Sequence, residues 1–328
     1  MWKFVLKRLA LSVMILFCVT FIIYLIMRCL PSSFVETQAM TLSQAPGAKP
    51  YAEWLDQLSE MYGMNQNVFA GYFGWLKDFC AGRFGDSWVY NVPVIEKFHE
   101  TVWLSFIMGA ISFFFEIIIA VPLGVIAATK QYSKTDYAIS TLALIGISLP
   151  SFFFATLLKL FFAVKHQWFE ISGLVSRDYL LMTPSQQFWD KAMHLVLPIV
   201  TLTIVSIGSL MRYVRTNMLE VLNADYIRTA RAKGLSERKV IYHHAFRNTM
   251  IPLVTIIGGS LPGLFAGALI TEQLFSIPGI GFASYQAMIK GDIPFSMFYL
   301  TFMAILTLLG NLISDILYAV VDPRVRIA

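Results

Sequence analysis

The sequence alternates between long apolar runs and shorter segments rich in polar and charged residues. A membrane-spanning helix needs roughly 20 mostly apolar residues, and six runs reach or approach that length. They comprise residues 9–27, 101–129, 137–158, 195–211, 248–271 and 293–314, the last continuing to 321. Because backbone groups exposed to lipid must be hydrogen-bonded within their own segment, such runs predict helices. We therefore predict an all-α membrane protein with six transmembrane helices.

The composition also indicates a membrane protein. Of the 328 residues, 57% are hydrophobic and 14% are charged, and the mean hydropathy is +0.65. Soluble domains carry about 25% charged residues. The first run follows Lys3, Lys7 and Arg8, as the apolar part of a signal peptide would. Its length, and a sequence at 28–31 without a small-residue cleavage site, favour a retained helix.

The distribution of lysine and arginine predicts the orientation. Basic residues concentrate near both termini, in 130–136 and in 212–247, where eight Lys or Arg face three acidic residues. With six spans these four segments share one side, which the positive-inside rule makes the cytoplasmic side. Both termini are therefore expected in the cytoplasm. The same rule accounts for the net charge of +5, so nucleic acid is not expected as a partner.

The segment 31–100 has the opposite charge balance. It holds eight acidic residues against four Lys or Arg and is expected on the outer side. Residues 52–62 and 68–79 predict short helices at the outer membrane surface, followed by a turn at 82–86. The acidic excess suits either a basic partner or the avoidance of positive charge outside. The predicted division of the chain is 1–30, 31–100 and 101–328, with a cytoplasmic loop at 212–250.

No residue pattern predicts catalysis, a metal site or a cofactor in this chain. There is no P-loop, the glycine-rich motif that holds ATP phosphates. His243 and His244 are adjacent, so on a helix they point about 100° apart and are expected at a surface or an interface. Cys18, Cys29 and Cys80 lack metal-ligand spacing. Free thiols are predicted for them, with a disulfide between Cys29 and Cys80 as the alternative.

The segment 224–252 carries the most informative pattern. Residues 225–233 predict a basic helix, which Gly234 can end by adopting the left-handed conformation. The side chain of Ser236 can cap a second helix. The result is a helical hairpin with a glycine at its corner. The positive-inside rule alone explains the basic charge, whereas docking into a partner would also explain the hairpin.

This hairpin resembles the coupling loop, called the EAA loop, of bacterial ABC importer permeases. That loop reads Glu-Ala-Ala, three residues and Gly, and Ala230 and Gly234 match it. Arg228 occupies the Glu position and Arg247 that of a later Pro, as in the peptide-importer branch. The resemblance continues along the chain through Gly85-Asp86-Ser87, Leu149-Pro150-Ser151-Phe152-Phe153, Leu197-Pro198, Ile277-Pro278-Gly279-Ile280-Gly281 and Asp322-Pro323-Arg324.

The resemblance implies the fold and partners of oligopeptide and dipeptide importer permeases of the first-permease type. These have the ABC importer type I permease fold and lie in the inner or plasma membrane of bacteria. They assemble with a second homologous permease, two ATPase subunits and an external solute-binding protein. The ATPases bind ATP and Mg²⁺, so this chain is expected to be a transport subunit without catalytic residues. Peptides are the implied cargo, and nickel, glutathione or oligosaccharides are alternatives within the family.

The resemblance further implies that the coupling loop contacts an ATPase subunit. The residues expected to make this contact are Arg228, Thr229, Ala230, Arg231, Lys233, Gly234 and Leu235. The small residues Ala230 and Gly234 would permit close approach, and the basic residues would pair with acidic residues of the ATPase.

Charged residues within spans are costly and suggest function. Glu116 lies in the middle of the second span, where it would either line the translocation path or make a polar contact inside the bundle. Asp315 is expected to form an interhelical bond. Lys159 and Glu272 lie near span ends and are expected to extend towards the interface. Kinks can arise at Pro122, Pro150, Pro198 and Pro262.

Two other classes of function compete with the importer. A secondary transporter would need ionisable residues near the middle of several spans, often in repeated halves. Here only Glu116 is central, and no repeat is visible. A membrane scaffold would have no use for the hairpin. ATP-dependent uptake that an uncoupler leaves unchanged would exclude the first class, and uptake of any kind would exclude the second.

Overall fold

The computed structural model describes residues 2–29 and 34–321. Its α-helices, in chain order, are α1 (Trp2–Arg28), α2 (Phe34–Ser43), α3 (Tyr51–Met61), α4 (Val68–Cys80), α5 (Val94–Thr129), α6 (Lys134–Ser148), α7 (Ser151–Leu158), α8 (Pro184–Leu222), α9 (Asp225–Ala232), α10 (Glu237–Lys239), α11 (Phe246–Gly259), α12 (Leu261–Phe265), α13 (Leu269–Phe275), α14 (Ile280–Ile289) and α15 (Ile293–Val321). Within these described ranges the only strand-like pairing is a bridge between Asp86 and Pro93. The predicted all-α class is therefore confirmed.

Three shorter segments complete the helical structure. π-Helical turns extend α7 over Lys159–Lys165 and join α10 to α11 over Val240–Ala245, and a 3₁₀ turn covers Tyr179–Leu181. Some sequence predictions concern residues outside the described ranges. These are Pro31, the Asp322-Pro323-Arg324 motif and the basic residue Arg326.

Four helices, α1, α5, α8 and α15, are long and apolar enough to cross a membrane. Two more candidate spans are bent pairs. Lys134–Ser148 and Ser151–Lys165 meet at 102°, and Glu237–Met250 and Pro252–Phe265 meet at 43°. The predicted number of six spans is reached when each bent pair is counted as one span.

The third span differs from the single helix predicted for residues 137–158. Leu149 is extended, with φ −81° and ψ 130°, and it separates α6 from α7. Pro150 favours this break, because its ring disfavours the helical conformation in the preceding residue. Pro122 and Pro198, by contrast, lie within the continuous helices α5 and α8.

Other predicted spans differ from the structure at their ends. The fourth, 195–211, is the centre of the 39-residue α8. The second begins at Val94 rather than at residue 101. The fifth, predicted for 248–271, is interrupted, because the chain leaves the helix after α12 and Gly267 adopts φ +76° before α13 begins.

Packing divides the chain into two compact units. The first comprises Met1–Trp103 and Ile280–Leu309, and the second comprises Leu104–Gly279 and Gly310–Ala328. The division predicted from the sequence placed Ile280–Leu309 with the rest of 101–328. In the structure, Ile280–Leu309 packs with the N-terminal residues in the first unit.

In the first unit, α1 and α4 pack through aromatic rings. Tyr72 is fully buried, and its hydroxyl lies 2.9 Å from Oγ1 of Thr20. Arg28, the last residue of α1, donates to the carbonyl oxygens of Met64 and Gln66, both at 2.8 Å. These bonds hold the end of α1 against the connection between α3 and α4.

The N-terminal half of the first unit contains more helix than expected. The predicted helices at 52–62 and 68–79 are confirmed as α3 and α4, whereas α2 was not predicted. Gly82 and Gly85 both have positive φ in the predicted turn at 82–86. Cys18, Cys29 and Cys80 are free thiols, so the alternative disulfide is not formed.

In the second unit, α5, α6, α8 and α11 share an aliphatic core. Helices α6 and α8 approach closely at Gly208, where a Cβ atom would lie 2.5 Å from the carbonyl oxygen of Ala143. Nε and Nη2 of Arg215 on α8 each donate to the carboxylate of Asp136 on α6, at 2.8 Å. A close helix contact and a bidentate ion pair therefore fix this pair of helices together.

Candidate functional site: a helical hairpin and a cavity

The hairpin predicted from the sequence is present. α9 ends at Ala232, and Gly234 adopts the predicted left-handed conformation with φ +76°. Ser236 occupies the N-cap position of α10, but its side chain makes no capping hydrogen bond, so that part of the prediction is wrong. The turn is closed instead by Arg231, whose Nε donates to Glu237 Oε1 at 2.8 Å. An ion pair across the corner takes the place of the expected cap.

One face of the hairpin is buried in the core of the second unit. Ile227, Val240 and Ala245 have no exposed surface, and Ala230 is 7% exposed. All four belong to the core cluster that also contains residues of α5, α8 and α11, and Leu235 packs against it. The hairpin is therefore rigidly attached to three membrane helices, and a displacement of the hairpin would be transmitted to them.

The opposite face of the hairpin is exposed. It presents the residues Arg228, Thr229, Arg231, Lys233 and Gly234. The guanidinium of Arg228 lies 3.6 Å from Asp225, and both side chains are largely in solvent. Five of the seven residues predicted to contact a partner are thus brought together on one accessible surface.

Ala230 and Leu235 lie differently from the other predicted contact residues. Because Ala230 is packed inside the chain, its small side chain permits close packing of the hairpin on the core, not the close approach of a partner that was expected. The sequence contained this signal. Ile227 and Ala230 are three residues apart and therefore lie on one face of α9.

The π-helical turn Val240–Ala245 connects the hairpin to α11. Short π-helical segments within α-helices often occur at functional sites. His243 and His244 lie on this turn with ring centroids 5.2 Å apart and ring planes at 90°. His243 is exposed and His244 is half-buried, in agreement with the surface position predicted for them.

Glu116 lines a cavity of about 310 Å³ in the second unit. Its walls are formed by α5, α8 and the α11–α12 pair. Hydroxyl groups on the lining come from Ser105, Ser112, Ser206 and Ser260. A second cavity of about 320 Å³ shares Leu202, Ser206 and Ala268 with the first. Glu116 thus lines a cavity, and its expected place on a translocation path stays a prediction.

Glu272 does not extend to the interface, as was predicted, but is fully buried. Its Oε1 accepts hydrogen bonds from Ser105 Oγ at 2.7 Å and from the backbone N–H of Ala268 at 3.0 Å. These donors offset the cost of burying the carboxylate. A Cβ atom at Gly279 would overlap the same carboxylate, which explains the glycine in Ile277-Pro278-Gly279.

Lys159 also differs from the prediction. Its Nζ donates to the carbonyl oxygen of Leu274 at 2.6 Å and lies 5.4 Å from the centre of the Phe275 ring. The ammonium group therefore holds the end of α13 rather than extending to the interface. The interhelical bond expected at Asp315 remains a prediction, although its neighbour Ser314 donates to the carbonyl oxygen of Thr255 at 3.0 Å.

Asp292, in the first unit, was not singled out from the sequence. It is fully buried and accepts hydrogen bonds from Ser87 Oγ, from the N–H of Val89 at 3.0 Å and from the N–H of Phe295 at 3.1 Å. Ser87, the serine of Gly85-Asp86-Ser87, is thus hydrogen-bonded to Asp292, the N-cap residue of α15. Burial and the nearby Asp292 raise the pKa of Tyr90 to about 12. An Asp directly before an apolar helix is a recognisable N-cap signal.

A larger cavity, of about 830 Å³, is lined by residues of the segment 163–194 in the second unit. Asp190 accepts hydrogen bonds from the side chain and the N–H of Ser176, and its carbonyl oxygen lies 2.8 Å from Nδ1 of His194. The fourth predicted span was placed at 195–211, but α8 already begins at Pro184 with a capping box formed by Thr183 and Gln186.

Comparison with known proteins gives matches along almost the whole chain. Residues 120–327 match the family described as "Binding-protein-dependent transport system inner membrane component", and residues 1–103 match the N-terminal region described for such membrane components. The chain is similar to the oligopeptide transport system permease protein AppB of Bacillus subtilis, with 34% identity over 99% of this chain and 100% of the relative. It is also similar to OppB of Haemophilus influenzae, an oligopeptide transport system permease protein, with 30% identity over 99% of this chain and 100% of the relative. Its identity with the dipeptide transport system permease protein DppB of Lactococcus lactis is 31%, over 100% of both chains.

Proposed function

Because the chain belongs to the family of binding-protein-dependent transport system inner membrane components, we propose that it is one of two permease subunits in an ATP-driven peptide importer. The relatives at 30–34% identity match this chain over their full length and are named as oligopeptide or dipeptide transport permeases. Their names support peptides as the cargo. The second permease would be a homologue, and an external solute-binding protein would deliver the peptide. Two ATPase subunits would bind ATP and Mg²⁺.

The observation that carries this proposal is the division of the hairpin into a buried and an exposed face. Ile227, Ala230, Val240 and Ala245 attach the hairpin to α5, α8 and α11, while Arg228, Thr229 and Lys233 remain accessible. A device that transmits movement needs both features, a firm attachment on one side and a free contact surface on the other.

The proposed mechanism follows from this attachment. Closure of the ATPase subunits on ATP would displace the hairpin, and the displacement would move α8 and α11 as rigid bodies. The cavities between these helices and α5 would then open to one side of the membrane or to the other. The hairpin and both termini would lie in the cytoplasm, and the helices α2–α4 would face the binding protein outside.

Purification from the native membrane tests the proposal. The tagged chain is extracted in mild detergent, and its co-purifying proteins are assayed for ATPase activity with and without binding protein loaded from a mixed peptide pool. We expect two kinds of partner, a second permease and an ATPase, and turnover that rises with loaded binding protein. A chain that purifies alone, with uptake abolished by an uncoupler and independent of ATP, would favour a secondary transporter.

A pair of charge reversals tests the contact surface of the hairpin. Arg228 and Arg83 are both exposed, with 72% and 66% of their side-chain surface accessible, and each pairs with one aspartate. We expect Arg228→Glu to reduce co-purification of the ATPase at least tenfold, while Arg83→Glu leaves it unchanged. An equal result for both variants would contradict the assignment of the hairpin as the ATPase contact.

A further inference from the structure

The cavity beside Glu116 has an unusual distribution of charge. Among the described residues that line it, Glu116 is the only charged one, and within the part of α5 that follows residue 100 it is also the only charged residue. In the described part of the chain its carboxylate has no hydrogen bond and no ion pair. An ionisable group placed in a membrane span is costly, and its retention suggests a functional role.

Two of the four hydroxyl groups on the lining already donate their protons within the chain. Ser105 donates its proton to Glu272 at 2.7 Å, and Ser260 donates to the carbonyl oxygen of Ile256 at 2.9 Å. The oxygen of Ser260 therefore retains capacity only for accepting hydrogen bonds, whereas Ser112 Oγ already accepts one from Thr203 Oγ1 at 3.2 Å. The carboxylate of Glu116, which can only accept, and the oxygen of Ser260 therefore offer acceptors to a group with several N–H donors and a positive charge.

The size of the cavity restricts what it can hold. A volume of about 310 Å³ is near the lower limit of the roughly 300–1,000 Å³ typical of ligand sites. It suits the end or one side chain of a peptide, and the remainder would extend into the adjoining cavity of about 320 Å³.

We propose that Glu116 is the binding site for an ammonium group of the peptide in transit, either the free α-ammonium at its N-terminus or the side chain of a lysine. This inference rests on the proposed peptide-import function and adds a charge preference to it. A charge-assisted hydrogen bond in a site of low polarity is stronger than a neutral one, and it would favour cationic over neutral cargo.

Uptake by the complete transporter in proteoliposomes tests the inference. The probes are trialanine, N-acetyl-trialanine and N-acetyl-Ala-Lys-Ala, each measured with binding protein present at saturating ATP. The wild-type protein is expected to show a KM at least tenfold lower for trialanine than for its acetylated form. A low KM for N-acetyl-Ala-Lys-Ala would identify the lysine side chain as a second source of the ammonium group.

The decisive variants are Glu116→Gln and Glu116→Leu, which remove the charge with and without a polar group. Each is expected to reduce the preference for trialanine about tenfold, whereas Glu116→Asp retains it. Glu100→Gln is the matched control, because it makes the same change on the exposed part of α5, and it should leave the preference intact.

The outcomes separate this inference from the function on which it rests. An unchanged preference in Glu116→Gln or Glu116→Leu, with peptide uptake otherwise normal, overturns the inference alone. Failure of both neutral variants to assemble would make Glu116 a structural residue and would also overturn it. Absence of ATP-dependent uptake of any peptide by the wild-type complex would overturn the proposed function, and the inference with it.

Discussion

Two glutamates of the second unit, Glu272 and Glu116, occur in similarly apolar surroundings but differ in what contacts their carboxylates. Glu272 is fully buried, and Ser105 Oγ and the N–H of Ala268 both donate to it. Glu116 is half-buried beside a cavity, and no described residue donates to it or pairs with it. One carboxylate has its partners within the chain, and the other can bind a partner that is not part of it.

The comparison separates two possible roles of a charged group within an apolar segment, stabilising the fold and binding a partner. A carboxylate whose oxygens are already bonded contributes to the stability of the fold, and its removal leaves buried donors without an acceptor. A carboxylate beside a cavity, as we propose for Glu116, would contribute to binding, and its removal would leave the fold unaffected. Stability and transport measurements should therefore separate the two groups.

The largest effect on stability is expected at Asp136. Like the carboxylate of Glu272, its carboxylate accepts its hydrogen bonds from groups within the chain. Its carboxylate accepts two hydrogen bonds from Arg215, one from the N–H of Tyr132 and one from Ser140. Asp136→Asn leaves the charge of Arg215 without its partner and should lower the free energy of unfolding by about 3–5 kcal/mol. Thermal or denaturant unfolding in detergent micelles would measure this loss.

The matched control for this prediction is Asp225→Asn on the hairpin. Asp225 also pairs with an arginine, but at 3.6 Å and with 97% of its side-chain surface exposed. Exposed ion pairs contribute about 0–1 kcal/mol, so little change is expected. Equal losses for the two variants would show that burial does not determine the importance of the pair.

A smaller loss is expected from Glu272→Gln. The amide retains one oxygen acceptor for Ser105 and Ala268 but introduces an NH₂ group next to Gly279, where no space remains for an added atom. We expect a loss of about 1–3 kcal/mol in the free energy of unfolding.

A double-mutant cycle would show whether the bond between Glu272 and Ser105 is responsible. Glu272→Gln and Ser105→Ala should couple by at least about 0.5 kcal/mol, because the two side chains are in direct contact. Strictly additive losses would mean that Glu272 stabilises the protein through its other contacts.

The smallest effect on stability is expected from Glu116→Gln. Since no described residue bonds to the carboxylate, the free energy of unfolding should change by no more than about 0.5 kcal/mol. Unfolding under the same conditions as for Glu272→Gln provides the measurement. A loss as large as that of Glu272→Gln would remove the distinction between the two glutamates.

The sequence predicted the helical class and the number of spans because membrane thickness determines the length of an apolar run. The 102° bend at Pro150 could not be predicted, because Pro122 and Pro198 have the same chemistry and leave their helices continuous. The proline residue alone therefore does not determine whether the helix breaks.

The position of a charged residue along a span predicted the surroundings of its side chain even less well. Glu272 was expected at the interface because it lies near the end of an apolar run, but its donor Ser105 precedes it by 167 residues. Only the folded chain brings them together. The hairpin was predicted more successfully, because Gly234, the residue at which the chain turns, is a local feature.

The separation of buried and exposed residues in the hairpin has a consequence for its evolution. Four small or aliphatic side chains, Ile227, Ala230, Val240 and Ala245, hold the hairpin on the core. The exposed positions 228, 229 and 233 contribute nothing to that core. Selection can therefore change the exposed residues together with those of a partner without repacking the membrane helices. Grafting the exposed residues of a relative onto the same buried positions should accordingly exchange one partner protein for another.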